Sequence, residues 1–417
     1  MTTQQLYQIY LKHPVICTDT RKITPSCLFF ALRGENFNAN EFALKALDDG
    51  ASFAVIDDAQ YAINDRCILV DDVLGSLQEL ARFHRRQLDI PVIGITGTNG
   101  KTTTKELINS VLSQHFKTYA TIGNLNNHIG VPLTLLSIKE NCDIAVVEMG
   151  ANHQKEIEFL CSIAQPTHGL ITNVGKAHLE GFGGIEGVRI SKGELYDYLA
   201  KSGGTVFLNN DNAILRDMCD ERHLENIVSY GGGNQDYLTV ELKELSPSLS
   251  VEWKLNHESD NRTYTAVSNL PGTYNFENIA AAICIGSFFK LSPAEINTGI
   301  EAYKPENSRS QILNTQHNTI ISDCYNANPS SMFVALDNLA AISAKHKVMI
   351  LGDMFELGDE SIFEHQQVID KALKTPSDQR IFIGEEFYKL KGNVEASFYR
   401  NTEAAFEALK QTPIRNS

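Results

Sequence analysis

The sequence predicts an α/β protein of three units: a small α/β unit over residues 1–90, a central unit with a mostly parallel sheet over 91–305, and a Rossmann-like unit over 306–417. Three observations carry this reading. Short β-branched runs alternate with helical stretches in the middle of the chain and again near its end, the pattern of parallel sheets. A glycine-rich segment, T-G-T-N-G-K-T-T (96–103), joins one such run to a helix. The 417 residues exceed one ordinary domain and suit two or three.

In the first unit, C-L-F-F-A-L (27–32), F-A-V-I-D (53–57) and C-I-L-V (67–70) read as strands. V-L-G-S-L-Q-E-L-A-R-F-H-R-R (73–86) has helical spacing and a basic end, which suits a helix C-terminus. D-I-P at 89–91 breaks it. The central unit repeats strand-like runs at 92–96, 144–149, 169–174 and 205–209, with helices expected between them. Residues 230–270 are more strand-like and polar and read as a small β appendage. Y-N-F-E-N-I-A-A-A-I-C-I-G (274–286) reads as a packed helix. Beyond Pro305, the runs at 319–323, 347–353 and 380–384 read as strands of a second parallel sheet.

Composition narrows the function. A net charge of −15 argues against a nucleic-acid partner, because phosphate contacts need a basic face. No apolar run reaches the length of a membrane span, and the N-terminus lacks the basic region and apolar core of a secretory signal. We expect a cytoplasmic monomer. The eight cysteines contain no C-x-x-C pair, which suits reduced thiols rather than a disulfide framework or zinc site, and each reads as a small buried hydrophobe.

The segment V-I-G-I-T-G-T-N-G-K-T-T-T (92–104) departs from the common phosphate-loop spelling, since Ile95 stands where that spelling has glycine. Strand, glycine-rich loop and helix nevertheless follow in the required order. Backbone N–H groups of residues 97–103 (Gly97, Thr98, Asn99, Gly100, Lys101, Thr102, Thr103) can converge on an anion at a helix N-terminus. Lys101 can reach terminal phosphates, and Thr102 can offer its hydroxyl to Mg²⁺. Glu148 closes the run V-V-E-M-G (146–150), at the strand edge where open α/β sheets bind ligands, and reads as a magnesium ligand. His178, in N-V-G-K-A-H-L-E-G-F-G (173–183), lies in a loop beside the same edge. Lys192, in S-K-G-E-L (191–195), reads by itself as an exposed helix lysine.

T-G-T-N-G-K-T-T resembles the form used by the muramyl-peptide and folyl-polyglutamate ligases, ATP-dependent enzymes that join an amine to a carboxylate. The resemblance covers nearly the whole chain. It implies that His178 binds a second metal ion beside Glu148 and Thr102, so that two Mg²⁺ ions are expected. It also implies that Lys192 is carbamylated by CO₂ and that the carbamate is a further Mg²⁺ ligand. Y-N-F-E-N-I-A-A-A (274–282) resembles the element that touches adenine, through Asn275 and Asn278, with helix capping as the other role for Asn275. N-S-R-S-Q (307–311) matches the arginine that swings onto the phosphates, here Arg309. S-D-C-Y-N-A-N-P-S-S (322–331) resembles the spelling of the branch that adds D-alanyl-D-alanine to a UDP-N-acetylmuramoyl-tripeptide. Asp323 is expected at the nucleotide, and Tyr325, Asn326 and Asn328 at the substrate. An Asn-Pro turn opening a helix is compatible with this.

G-N-L-N-N-H-I-G-V-P (123–132) agrees with the same branch and offers either Asn126 or Asn127 to the γ-phosphate. L-G-D-M-F-E-L-G-D-E-S (351–361) and His365 also match. D-T-R (19–21), with Thr20 and Arg21, and residues 29–42 resemble a uridine-nucleotide-binding module, although Asn38-Ala39 replaces the usual Asp-Gly pair. The family usually ends with a further strand and a K-G-S-R-like segment, which T-P-I-R-N-S (412–417) does not match. Catalysis would thus fall to Lys101, Lys192, His178 and Arg309.

Overall fold

The computed structural model describes residues 1–244, 249–257, 262–306 and 308–417. Near the N-terminus the strands Ile16–Cys17, Leu28–Phe30, Phe53–Ile56 and Cys67–Leu69 form a four-stranded sheet, parallel throughout. Leu28, Phe29 and Phe30 are all fully buried, as expected of a strand covered on both faces. The helix Val73–Gln87 begins where Asp72 accepts hydrogen bonds from the N–H groups of Leu74 and Gly75. Its buried stripe, Val73, Leu77, Leu80, Ala81 and His84, follows the helical period. Arg85 then bonds the carbonyls of Ala164 and Gln165, tying this unit to the helix Glu156–Ala164 of the next.

The central sheet has nine strands. Seven run parallel, in the spatial order Thr118–Ala120, Ile144–Glu148, Val92–Thr96, His168–Ile171, Thr205–Asn209, Ile227–Gly231 and Leu238–Glu244. Ser250–Leu255 and Tyr264–Val267 add to one edge in antiparallel sense. The expected β appendage over 230–270 is therefore corrected. Its strands hydrogen-bond directly into the main sheet, and Val240, Val251 and Trp253 join the same core as Ile93 and Ile95.

Val92–Thr96 lies between Ile144–Glu148 on one side and His168–Ile171 on the other. The chain thus leaves this strand in opposite directions, and the loops at its C-terminal end splay apart to leave a crevice.

The last unit holds a parallel three-stranded sheet, Val348–Gly352, Gln379–Ile383 and Ser397–Tyr399, with the helices Pro329–Ala341, Ser361–Lys374 and Thr402–Gln411. The run at 319–323 is not part of it, contrary to expectation. Thr319–Ser322 pairs antiparallel with Gln311–Asn314 in a separate hairpin. A four-residue connection allows that local pairing, whereas a parallel partner needs a crossover of a dozen residues or more.

The cysteine expectation also needs correction: Cys324 is exposed and Cys67 only half-buried, while the other six are buried. Among the described residues no helix is long and apolar enough to cross a membrane.

Candidate active site at the 97–102 loop

Val92–Thr96 is completely buried and delivers the glycine loop to the crevice. The helix Lys101–Leu112 follows at once, with Gly100 as its N-cap in a left-handed conformation, φ 79°. The loop is braced from the neighbouring strand end. Asn173 accepts from the Asn99 N–H at 3.0 Å, and the Thr172 hydroxyl donates to the Asn99 carbonyl at 2.6 Å. Sequence reasoning assigned no role to Thr172 or Asn173. Their only signal was their place just after a strand that neighbours the loop.

A cavity of 910 Å³ opens over this loop. Thr98, Asn99, Gly100, Lys101, Thr102 and Thr103 line it, while Gly97 does not. Glu148, Asn126, Asn127 and His178 line it from the central sheet, and Asn275 and Asn278 from the alanine-rich helix Asn275–Phe288. Arg309, Asp323, Tyr325, Asn326 and Asn328 close it from the last unit. Two groups of expected residues lie apart. Thr20 and Arg21 are not in its wall: Thr20 opens a short turn capped by Asp19, and Arg21 forms an exposed ion pair with that same aspartate. Lys192 does not line it either.

Lys101 folds back on its own loop, donating to the carbonyls of Gly97 at 2.8 Å and Thr98 at 2.9 Å. Burial lowers its pKa to about 8, with Glu148 opposing and Arg309 reinforcing the shift. Glu148 is almost wholly buried. Its Oε1 accepts from the Asn126 amide at 2.8 Å and from the Thr102 hydroxyl at 3.3 Å. Its Oε2 has no hydrogen-bond partner, and the ammonium of Lys105, also buried, stands 3.8 Å away. A buried carboxylate oxygen left open beside a threonine hydroxyl is a hard-oxygen site of the kind Mg²⁺ prefers. No group of three or more His, Cys, Asp or Glu among the described residues could hold a metal alone.

The geometry separates Asn126 from Asn127. Asn126 reaches Glu148 in the cavity, whereas the Asn127 side-chain oxygen accepts from the N–H groups of Ile129 and Gly130 and shapes the local turn. Asn275 does not cap its helix. Its amide donates to the Pro271 carbonyl and its oxygen accepts from Asn278, whose own oxygen accepts from Thr104 of the loop helix. Arg309 stacks on the Tyr325 ring at 3.7 Å, between Ser308 and Ser310, both at φ 52°. The Asn326 side-chain oxygen accepts from the N–H of Ala327. Asn328 caps the helix Pro329–Ala341 through the Ser331 N–H and donates to Asn99 at 2.8 Å.

The sequence suggested that Lys192 is exposed, and the structure corrects this: it is buried, with Nζ 3.4 Å from the Ala151 carbonyl and 4.9 Å from the Phe182 ring centre. Burial, then the nearby charge of Lys101, lower its pKa to about 7. A substantial neutral fraction near pH 7 is the form that adds CO₂. His178 contacts Glu356, a residue of the last unit that sequence reasoning quoted only as part of a longer match.

Residues 95–286 match the Mur ligase middle domain, and residues 308–413 match the Mur ligase, glutamate ligase domain. The chain is 35% identical over 359 residues to UDP-N-acetylmuramoyl-tripeptide–D-alanyl-D-alanine ligase of Bacillus subtilis (strain 168), covering 82% of this chain and 74% of that one. It is likewise 35% identical over 378 residues to the ligase of the same name from Escherichia coli (strain K12), covering 90% and 82%. The structure superposes on crystal structure I of MurF from Acinetobacter baumannii with a TM-score of 0.86 at 29% identity, over 99% of this chain and 93% of that one. Loop, carboxylate, overall fold and sequence all agree, and the chain belongs to the Mur ligase family of ATP-dependent enzymes that form amide bonds.

Proposed function

We propose that this enzyme joins D-alanyl-D-alanine to UDP-N-acetylmuramoyl-tripeptide, giving the pentapeptide precursor of peptidoglycan, ADP and phosphate. One observation carries the reading most directly: the nucleotide loop, Glu148, and the 323–328 segment whose spelling marks this branch all face one cavity. The named activity of the 35%-identical relatives supports it.

A carboxylate is a poor acyl donor until its oxygen is a leaving group. The tripeptide carboxylate attacks the γ-phosphorus of ATP, the bond to the β-phosphate oxygen breaks, and ADP leaves. The amine of D-alanyl-D-alanine then attacks the acyl carbon, loses a proton, and expels phosphate. Lys101 and Arg309 neutralise charge on the phosphates as it redistributes. To do so Lys101 exchanges the carbonyls of Gly97 and Thr98 for phosphate oxygens, and Arg309 leaves the Tyr325 ring.

Thr102 and Glu148 would hold one Mg²⁺, and His178 with carbamylated Lys192 a second. Bound there, the ions supply charge neutralisation at the phosphates. The open Oε2 of Glu148 and the lowered pKa of Lys192 support these assignments. Asn275, Asn278 and Asp323 would bind ATP; Asn126 is the asparagine favoured at the γ-phosphate. Tyr325, Asn326 and Asn328 would face the substrates. Thr20 and Arg21 would hold the uridine nucleotide in a domain spanning 1–90, with ATP in 91–305 and the dipeptide in 306–417. The enzyme acts as a cytoplasmic monomer in this reading.

The test is phosphate release from ATP in the presence of the UDP-linked tripeptide, with and without D-alanyl-D-alanine. Release that requires both, with a product heavier by one dipeptide less water, is the expected result. Release without the dipeptide overturns the proposal.

A further inference from the structure

His178, which lines the cavity, and Glu356, which does not, come from different units of the chain and meet beside it. His178 follows the strand His168–Ile171 and adopts φ 51°. Glu356 follows the strand Val348–Gly352 and adopts φ 59°. Neither is glycine, so each backbone holds a strained conformation that surrounding contacts must offset. Such strain needs a reason, and the side chains supply one: the Glu356 Oε2 contacts Nδ1 of His178. The His178 loop is also tied to two helices of the last unit, Pro329–Ala341 and Ser361–Lys374. Lys176 forms an ion pair with the buried Glu364 at 2.5 Å, and its N–H donates to the Ser330 hydroxyl at 2.8 Å.

An ionised carboxylate only accepts hydrogen bonds. Set against Nδ1, it makes that nitrogen the protonated one and leaves Nε2 with a free lone pair. Histidines that face metals are oriented in this way, and the partner carboxylate controls both tautomer and ring angle. Glu356 touches neither the nucleotide loop nor Glu148, so its effect is exerted through His178.

We propose that Glu356 is a positioning residue for His178: the last unit of the chain supplies the carboxylate that fixes the histidine tautomer in the central unit. The cavity is then chemically complete only when the two units are docked. Binding of ATP to the loop alone does not set His178; docking of the last unit does. The inference rests on the reading of His178 as a metal-facing group, and its test is built to separate the two.

The direct readout is ¹⁵N NMR of histidine side chains in the full-length protein without metal, with His178→Gln identifying the resonance. In the neutral form of the ring the wild type should carry its proton on Nδ1 and leave Nε2 bare. Glu356→Ala should move the proton to Nε2 or give a mixture, and Glu356→Gln, whose amide oxygen still accepts, should keep the wild-type tautomer. The Glu356 side chain is 53% exposed, so truncation should leave the fold intact. Lys176→Met loosens the same junction without touching His178 and controls for docking alone; it should leave the tautomer closer to wild type than Glu356→Ala does.

An unchanged tautomer in Glu356→Ala overturns the proposal, as does a neutral wild-type ring that carries its proton on Nε2. Mn²⁺ affinity of the ADP-bound enzyme is the second readout. Glu356→Ala should lower it by about 10–100-fold. If His178→Gln leaves it unchanged, the metal-facing reading fails, while the NMR result still judges Glu356.

Discussion

Asn328 donates its side-chain amide to the Asn99 side-chain oxygen at 2.8 Å, linking the helix cap of the last unit to the glycine-rich loop of the central one. The same side chain accepts from the Ser331 N–H at 2.9 Å. One asparagine thus starts a helix and reports the position of that helix to the nucleotide site.

The two roles can be split. Asn328→Asp keeps the acceptor that caps the helix and loses the donor to Asn99. It should retain the wild-type melting temperature while the KM for ATP rises about five-fold, the equivalent of one net hydrogen bond. Asn328→Ala should lose both, with a further loss of about 1 kcal/mol in stability. Thermal unfolding and initial-rate kinetics on the pair check this. An aspartate variant with unchanged ATP kinetics would remove the link.

Lys105 and Glu148 form a buried ion pair at 3.8 Å beneath the loop. Removing one partner of such a pair strands the other charge. Lys105→Met should cost about 3 kcal/mol of unfolding free energy in urea. Adding Glu148→Gln should recover a large part of that loss. Additive costs for the two changes would show that the charges do not interact.

Gly97 adopts φ 142°, and a Cβ there would run into the Thr172 side chain and stand 3.0 Å from its backbone nitrogen. Gly97→Ala should therefore displace the loop from the strand end that braces it. ADP affinity, measured by calorimetry, should fall about tenfold or more, because strain of this size costs 1–3 kcal/mol. Circular dichroism should remain close to wild type, since the sheet core beneath is untouched.

His168 packs among Phe207, Phe288 and Phe289, and burial lowers its pKa from 6.5 to about 4. Between about pH 4 and 6.5 the unfolded chain carries a proton there that the folded chain does not. Stability should therefore fall as pH drops through this window, and no further from this group below it. His168→Gln should flatten that part of the stability curve. Denaturant midpoints at pH 6.5, 5.5 and 4.5 test it. An equal slope in the variant would place the acid sensitivity elsewhere.

Much of the architecture was legible because strand and helix periodicities are local. Val92–Thr96, the helix Val73–Gln87 and the helix Lys101–Leu112 each lie where apolar spacing and end residues put them. The strand–loop–helix order at 92–112 was legible for a similar reason, since it rests on consecutive residues. Pairing partners were less so. The run at 319–323 has the composition of a parallel strand, yet a short connection lets it pair with its immediate neighbour instead.

The sequence by itself determined the alternating α/β order, the glycine-rich loop between strand and helix, and which carboxylates and lysines lie near strand ends. Only the tertiary structure decided their environments. Nothing in S-K-G-E-L marks Lys192 as buried; packing against Ala151 and Phe182 removes it from water and so lowers its pKa. Nothing local distinguishes Asn126 from Asn127, or joins Glu356 to His178. Those relations depend on residues far apart in the chain, and burial and partner choice are properties of the packed whole.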